Sequence, residues 1–172
     1  GKNDHLGLNA ASPATCFPTA SAAANSWDEA MIEQMGRRLG AETRAQRVGV
    51  ILGPGVKITR SPLCGRNFEY YGEDPYLAAE TAAAYIEGMQ AEGVMACVKH
   101  FVGNNQAWNR HHVSSDIDER TLHEIYLPAF RKAVTGAKVG AVMSSYNPLN
   151  CVPMTENRPL TVGLLREKWG FD

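Results

Sequence analysis

Short apolar runs alternate with longer amphipathic segments along this chain, and that alternation constrains the fold more than any other feature. Three continuous apolar runs have the composition of strands buried on both faces: residues 48–52, 94–98 and 139–143. Segments with apolar residues at helical spacing surround them, at about 27–46, 75–92, 118–133 and 160–169. This order predicts an α/β fold with a parallel sheet and right-handed crossovers. Both a doubly wound open sheet and a closed eight-stranded barrel fit it.

Length and charge narrow the class of protein. A complete (β/α)8 barrel typically needs about 250 residues, so the 172 residues here correspond to part of one. Hydrophobic residues make up 44% and charged residues 20%, which excludes a disordered chain. A formal net charge of -1 argues against nucleic acid or an anionic membrane as the main partner. The chain starts at Gly1 rather than at Met, so we expect it to be a piece of a longer chain. Neither end carries a targeting signal, and for a piece of a chain this gives no prediction of localisation.

The four cysteines, Cys16, Cys64, Cys97 and Cys151, are widely spaced and contain no C-x-x-C pair. That spacing excludes a zinc ribbon or a thioredoxin-like motif and leaves disulfide formation open. Cys97 lies inside an apolar strand pattern, which favours a small buried hydrophobe.

Several chemistries lack the residues they need. The glycines after the first strand do not complete a dinucleotide-binding fingerprint. The adjacent His111 and His112 have no second ligand at metal-binding spacing, and no serine stands in a nucleophile elbow. The sequence therefore predicts no cofactor and no metal.

Hydrogen-bond donors follow each predicted strand, at the end of a parallel sheet where sites are built. They are Arg66, Lys99, His100, Arg110 and Tyr146. Guanidinium and ammonium donors that converge on one pocket suit the vicinal hydroxyls of a sugar. Glu69, three residues after Arg66, is predicted to pair with it and orient it.

A retaining glycosidase also needs two carboxylates about 5 Å apart. Glu73 and Asp74 are explained by capping of the helix that begins at Pro75, and Asp116 by its position before the next helix. Glu69 is already assigned to Arg66. The residues therefore predict a binding surface without a catalytic pair.

Many ordered motifs resemble one family. They are residues 14–19 (ATCFPT), 52–56 (LGPGV), 60–70 (RSPLCGRNFEY), 73–76 (EDPY), 98–101 (VKHF), 104–106 (NNQ), 118–120 (DER), 125–130 (IYLPAF), 145–147 (SYN) and 169–172 (WGFD). In this order they resemble family 3 glycoside hydrolases of the β-glucosidase type, from about residue 3 to the end.

The resemblance implies a fold and an activity. The family has a (β/α)8-like N-terminal domain followed by an α/β sandwich domain, and it hydrolyses terminal β-linked sugars with retention. Residues 1–172 would be an internal fragment of the first domain. The nucleophilic Asp and the acid/base Glu would lie downstream of Asp172, and the missing parts of the full-length chain would be its partners.

The resemblance also implies roles for individual residues. Arg66, Lys99 and His100 would bind hydroxyls of the non-reducing glucose. Arg110 would support them, Tyr146 would lie near the nucleophile, and Met143 would line the pocket. Glu69 would stand behind Arg66.

Other functions remain open at this stage. The same chemistry on β-xylosides or α-arabinofuranosides fits these residues, as does a sugar-binding relative that does not cleave. A phosphosugar isomerase on an unrelated barrel would also use such donors. The stretch after Lys99-His100-Phe101 lacks the His-Gly-Asp/His loop of the family's hexosaminidase branch, which disfavours that branch.

Overall fold

The computed structural model describes residues 13–172. Pro13, Pro18 and many small residues predict an irregular segment over residues 1–24, which falls partly outside this range. Its last residues form a short helix instead, α1 (Ala20–Ala24), because the Thr19 hydroxyl accepts a hydrogen bond from the Ala22 amide and caps it.

Three parallel strands form the sheet: β1 (Val50–Ile51), β2 (Met95–Phe101) and β3 (Ala141–Ser144). They lie side by side in chain order, with Val50 opposite Met95 and Cys97 opposite Ala141. The predicted α/β class with a parallel sheet is therefore confirmed. All carboxyl ends of the strands meet at one edge.

There are two long helices: α2 (Glu29–Ala45) precedes β1 and packs on α3 (Pro75–Ala91), and α3 connects β1 to β2. Asp74 caps α3 and Pro75 occupies its first turn, as predicted. Ser26, just before the predicted helix 27–46, is of a residue type that favours helix N-caps and predicts the cap of α2. The cap is instead Asp28, whose carboxylate accepts a hydrogen bond from the Met31 amide.

Residues 119–136 form one helical segment in which α-helical and π-helical turns alternate around Pro128. The last helix, Pro159–Lys168, is also π-helical. Residues 144–155 lie between the predicted third strand and last helix and are therefore predicted to form a loop. They contain a small antiparallel hairpin, β4 (Pro148–Leu149) and β5 (Val152–Pro153). Within residues 13–172, no helix is long and apolar enough to cross a membrane.

The first apolar run is less buried than predicted. Val50 is 41% exposed and Leu52 is 60% exposed, although a strand covered on both faces was expected. The reason is the strand order: β1 lies at the edge of the sheet and has β2 as its only partner among residues 13–172. By contrast, Val98 and Phe101 in the central strand are fully buried.

Helices α2 and α3 approach closely at two glycines. A Cβ atom at Gly88 would lie 2.1 Å from the Glu33 carbonyl oxygen, and one at Gly36 would lie 2.5 Å from the Tyr85 carbonyl oxygen. Both obstacles are backbone atoms and cannot rotate away. The contact therefore requires glycine at both positions.

We expect Gly88→Ala to lower the free energy of unfolding by about 1–3 kcal/mol, because overpacking outweighs alanine's better helix propensity. Urea denaturation measures this change. Gly163→Ala is the matched control, since a Cβ at Gly163 meets no atom within 4 Å. Equal stability of the two variants would show that the helices are free to separate.

Candidate functional site

The central strand β2 carries two of the predicted site residues near its carboxyl end. Lys99 and His100 belong to the strand itself rather than to the loop after it. The register between β2 and β3 shifts between Lys99 and Phe101, a bulge of the kind that redirects side chains beside sites. The peptide bonds Lys99–His100 and Phe101–Val102 are cis.

Glu69 joins two of the predicted donors. One of its carboxylate oxygens accepts from Arg66 Nε, and the other lies 3.0 Å from Lys99 Nζ. The predicted pairing of Arg66 with Glu69 is thus present, and Lys99 is a second partner that spacing along the chain did not reveal. Among residues 13–172, Glu69 is the one carboxylate in contact with these donors, and both of its oxygens are occupied.

This arrangement keeps Glu69 ionised. Burial alone would raise the pKa of its carboxyl group, but the hydrogen bonds and charges of Arg66 and Lys99 outweigh burial and lower that pKa. A carboxylate held in this form is a poor general acid, because it has no proton to give at neutral pH. Its role is to hold two cations in place.

A buried lysine supports the loop that carries Arg66. Lys57 is 3% exposed, and its ammonium donates to Asn67 Oδ1 at 2.9 Å and to Cys64 Sγ at 3.4 Å. It also lies 4.5 Å from the centre of the Tyr70 ring. Burial lowers the pKa of this lysine. Sequence reasoning missed it because Lys57 stands in a stretch with no periodic signal.

His100 is 4% exposed, and its Nδ1 lies 2.8 Å from the Tyr70 hydroxyl. Burial and the positive charges of Arg66 and Lys99 lower the pKa of His100 to about 4. The imidazole is therefore neutral at physiological pH. Its Nε2 has no hydrogen-bond partner among the described residues.

Arg110 and Tyr146 come together at the same edge. The Arg110 guanidinium lies 4.8 Å from the centre of the Tyr146 ring. The His111 ring also contacts the Tyr146 ring, in a tilted arrangement with 4.6 Å between the ring centroids. The positive charge of Arg110 also contributes to the lowered pKa of His100. Tyr146 is 57% exposed. Met143 is half-buried and stands opposite Lys99 in the sheet register.

A cavity of about 320 Å³ adjoins the site, with Glu69 and Lys99 in its wall. The rest of its wall is mostly apolar, from Phe68, Tyr71 and Tyr85 among others. Four side-chain amide oxygens are buried without a partner in the described part of the chain, those of Gln46, Asn104, Asn105 and Asn147.

The cysteines do not pair. Cys64 and Cys97 are buried, Cys16 and Cys151 are exposed, and all four are free thiols. The prediction that Cys97 is a small buried hydrophobe is confirmed. Within residues 13–172, no group of three His, Cys, Asp or Glu side chains is arranged to hold a metal ion.

The neutral state of His100 predicts a pH dependence of stability. Its pKa is about 6.5 in an unfolded chain and about 4 here. Between these values the unfolded state binds a proton that the folded state does not. The free energy of unfolding should therefore fall as the pH falls from 6.5 to 4, with a slope of about one proton.

His100→Gln should remove that part of the pH dependence, and urea denaturation at several pH values measures it. His123→Gln is the control, since His123 is exposed and lies 3.6 Å from Glu119 on the surface. Parallel pH curves for wild type and His100→Gln would contradict the neutral, buried state.

A family model described as the glycosyl hydrolase family 3 N-terminal domain matches residues 5–172. The thermostable β-glucosidase B of Acetivibrio thermocellus is 50% identical over 165 residues, which cover 96% of this chain and 22% of that protein. The exo-α-(1→6)-L-arabinopyranosidase of Bifidobacterium longum is 46% identical over 160 residues, which cover 93% of this chain and 21% of that protein. The chain thus spans about a fifth of the length of these relatives.

Solved structures match in backbone as well as sequence. β-Glucosidase 3B from Thermotoga neapolitana, determined in complex with glucose, is 47% identical with a TM-score of 0.90, over 91% of this chain and 22% of that one. The β-glucosidase DesR from Streptomyces venezuelae, determined in complex with D-glucose, is 40% identical with a TM-score of 0.89, over 92% of this chain and 20% of that one.

Proposed function

This chain belongs to glycosyl hydrolase family 3, within the N-terminal domain of that family, and from this premise we propose that it supplies the sugar-binding wall of a retaining, exo-acting β-glucosidase. The reaction releases terminal β-D-glucosyl residues from β-glucosides and cello-oligosaccharides. The observation that carries the proposal is the pair of cations, Arg66 and Lys99, held by the single carboxylate of Glu69 beside His100.

The chemistry of this cluster favours a neutral polyol over an anion or a metal. Glu69 offsets one of the two positive charges, so the donors remain oriented without creating a strong anion site. Charge-assisted hydrogen bonds from such donors to hydroxyl oxygens are short and strong. Bonds that tighten as the sugar ring distorts towards an oxocarbenium ion accelerate hydrolysis.

The catalytic carboxylates belong, in this proposal, to other parts of a longer protein. Glu69 is occupied on both oxygens, and the chain spans about a fifth of its relatives' length. Residues 1–172 would form an internal part of a (β/α)8-like barrel, with the nucleophilic Asp and the acid/base Glu supplied from beyond Asp172. The strand order β1-β2-β3 occurs in a barrel and in one half of a doubly wound sheet, so support for the barrel comes from the family match rather than from the strand order.

Arg110, Tyr146 and Met143 complete the proposed pocket. The Arg110 guanidinium is positioned against the Tyr146 ring, and both stand on the carboxyl side of the sheet. Met143 lies beside Lys99 and offers an apolar surface to a sugar ring. A terminal α-L-arabinopyranosyl group is the second candidate substrate, because a relative with 46% identity carries that activity in its name.

We expect the full-length protein, meaning the longer chain that contains these residues, to hydrolyse aryl β-D-glucosides with retention of configuration. The 172-residue chain alone should show no turnover. Release of the aryl group measures the rate, and NMR of the first sugar formed gives its anomeric configuration. α-L-Arabinopyranosides and β-xylosides serve as competing substrates.

Hydrolysis by the 172-residue chain that disappears in Glu69→Gln would move the catalytic pair into this chain and overturn its assignment as a binding wall. Binding of glucose by the full-length protein without hydrolysis would favour a sugar-binding relative instead.

A further inference from the structure

The bond between Tyr70 and His100 raises the question of which group donates. The Tyr70 hydroxyl and His100 Nδ1 are 2.8 Å apart, and both side chains are buried. A neutral imidazole carries its proton on one nitrogen and accepts at the other. Either the tyrosine donates to Nδ1 and the histidine proton is on Nε2, or Nδ1 donates and Nε2 is bare.

The burial of Tyr70 decides between the two arrangements. Tyr70 is 1% exposed, so a hydroxyl that accepted from Nδ1 would keep its own proton in the interior without an acceptor, which is costly. The side-chain oxygen of Asn104 is buried without a partner, so it does not take that proton. Among the described residues, Nδ1 of His100 is the acceptor that remains in contact with it.

The charges around His100 exclude the doubly protonated form. Arg66, Lys99 and Arg110 are all positive, and the one anion of the cluster, Glu69, is shared between two of them. A fourth positive charge, on a buried imidazole, would be repelled and poorly solvated. Burial also raises the pKa of Tyr70, so its hydroxyl keeps the proton it donates.

We propose that Tyr70 is a positioning residue that fixes the Nε2–H tautomer of His100, so that the imidazole presents a donor at the carboxyl edge of the sheet. The imidazole N–H then joins the ammonium of Lys99 and the guanidinium groups of Arg66 and Arg110 as hydrogen-bond donors at this edge. Nothing in this tautomer assignment requires a sugar. Its consequence for catalysis rests on the proposed function.

That consequence concerns the direction of each hydrogen bond to the substrate. A substrate hydroxyl that faces these donors accepts a hydrogen bond from them, and its own proton must be donated to a group elsewhere. Replacing such a hydroxyl by fluorine keeps a weak acceptor, whereas replacing it by hydrogen removes the acceptor entirely. Substrates altered in this way therefore distinguish side chains that only donate hydrogen bonds from side chains that also accept them.

The first test reads the tautomer directly. Solid-state ¹⁵N NMR of the full-length protein with labelled histidine separates protonated from bare ring nitrogens, and the spectrum of His100→Gln identifies the His100 signals. We expect a protonated Nε2 and a bare Nδ1 in the wild type, and a mixture of tautomers in Tyr70→Phe. A protonated Nδ1 in the wild type, or an unchanged tautomer in Tyr70→Phe, would overturn the proposal.

The second test reads the consequence. Tyr70→Phe should lower kcat/KM on an aryl β-glucoside about tenfold, in line with the loss of one hydrogen bond. Tyr126→Phe is the control: Tyr126 in the helical segment 119–136 is also buried, and its hydroxyl makes one hydrogen bond, accepted from Arg60 Nη1 at 3.1 Å. It should stay within twofold of the wild type.

Singly deoxygenated and deoxyfluorinated glucosides complete the kinetic test. For the hydroxyl that faces His100, the fluoro substrate should outperform the deoxy one, and the losses from Tyr70→Phe and from deoxygenation should not add. Additive losses at every position would overturn the positioning role. A wild type that has the expected tautomer but hydrolyses and binds no glycoside would refute the proposed function and leave the tautomer assignment intact.

Discussion

Lys99→Ala in the full-length protein is expected to lower kcat/KM on an aryl β-glucoside about 100- to 1000-fold, which corresponds to about 3–4 kcal/mol of transition-state binding. The ammonium is mostly buried, 13% exposed, and Glu69 holds it 3.0 Å away, so it is already oriented before substrate arrives. A donor fixed in this way loses little entropy on binding. Its removal also leaves one Glu69 oxygen without its partner.

The matched control is Lys132→Ala. Lys132 is also paired with a glutamate, Glu80, at 2.9 Å, but its side chain is 42% exposed on the helical side of the molecule. Its loss should change kcat/KM less than twofold, as is usual for surface ion pairs. An unchanged kcat/KM in Lys99→Ala would remove Lys99 from the substrate site.

Glu69→Gln should produce the second large effect, a loss of about 100-fold in kcat/KM. The substitution keeps the shape of the side chain but leaves Arg66 and Lys99 next to each other without an anion. Removing one partner of a largely buried ion pair costs more than the pair contributes, because the remaining charge is poorly solvated. Since both cations lose their orientation, the variant should bind glucose more weakly as well as react more slowly.

The pH dependence of stability gives an independent measurement on the same residue. The pKa of Glu69 is lowered in the folded protein, so its stabilising contribution is present above the unfolded carboxyl pKa and is lost as the pH falls through the folded pKa. Glu69→Gln should lack this loss in acid.

Glu33→Gln is the control for both measurements, since Glu33 pairs with Arg37 at 2.7 Å on the surface of α2. Equal behaviour of the Glu69→Gln and Glu33→Gln variants would show that Glu69 is an ordinary surface ion pair.

Local pattern was sufficient to predict some of these features. Asp74 and Pro75 predict the start of α3, because an N-cap and a proline in the first turn affect only the few residues next to them. Arg66 and Glu69 stand three apart, within reach of one another in a single turn. Lys99 and His100 could be predicted as site residues because an apolar strand seldom ends in two such polar groups.

Other features depend on contacts that are remote along the chain. Tyr70 and His100 are thirty residues apart, and nothing near either residue indicates their bond. The exposure of Val50 follows from its place at the edge of the sheet, which hydrophobicity alone does not encode. Lys57 was overlooked because a buried lysine requires knowledge of the groups around it, here Asn67 and Cys64.

The order of the strands has a consequence for how such a chain is made. Because β1, β2 and β3 are neighbours in the same sequence in which they are synthesised, each new strand finds its partner already present as it leaves the ribosome. No strand has to be inserted between two that are already paired. Domains with this property can assemble in one direction during translation. At each stage the free edge of the sheet is the edge with which the next strand pairs.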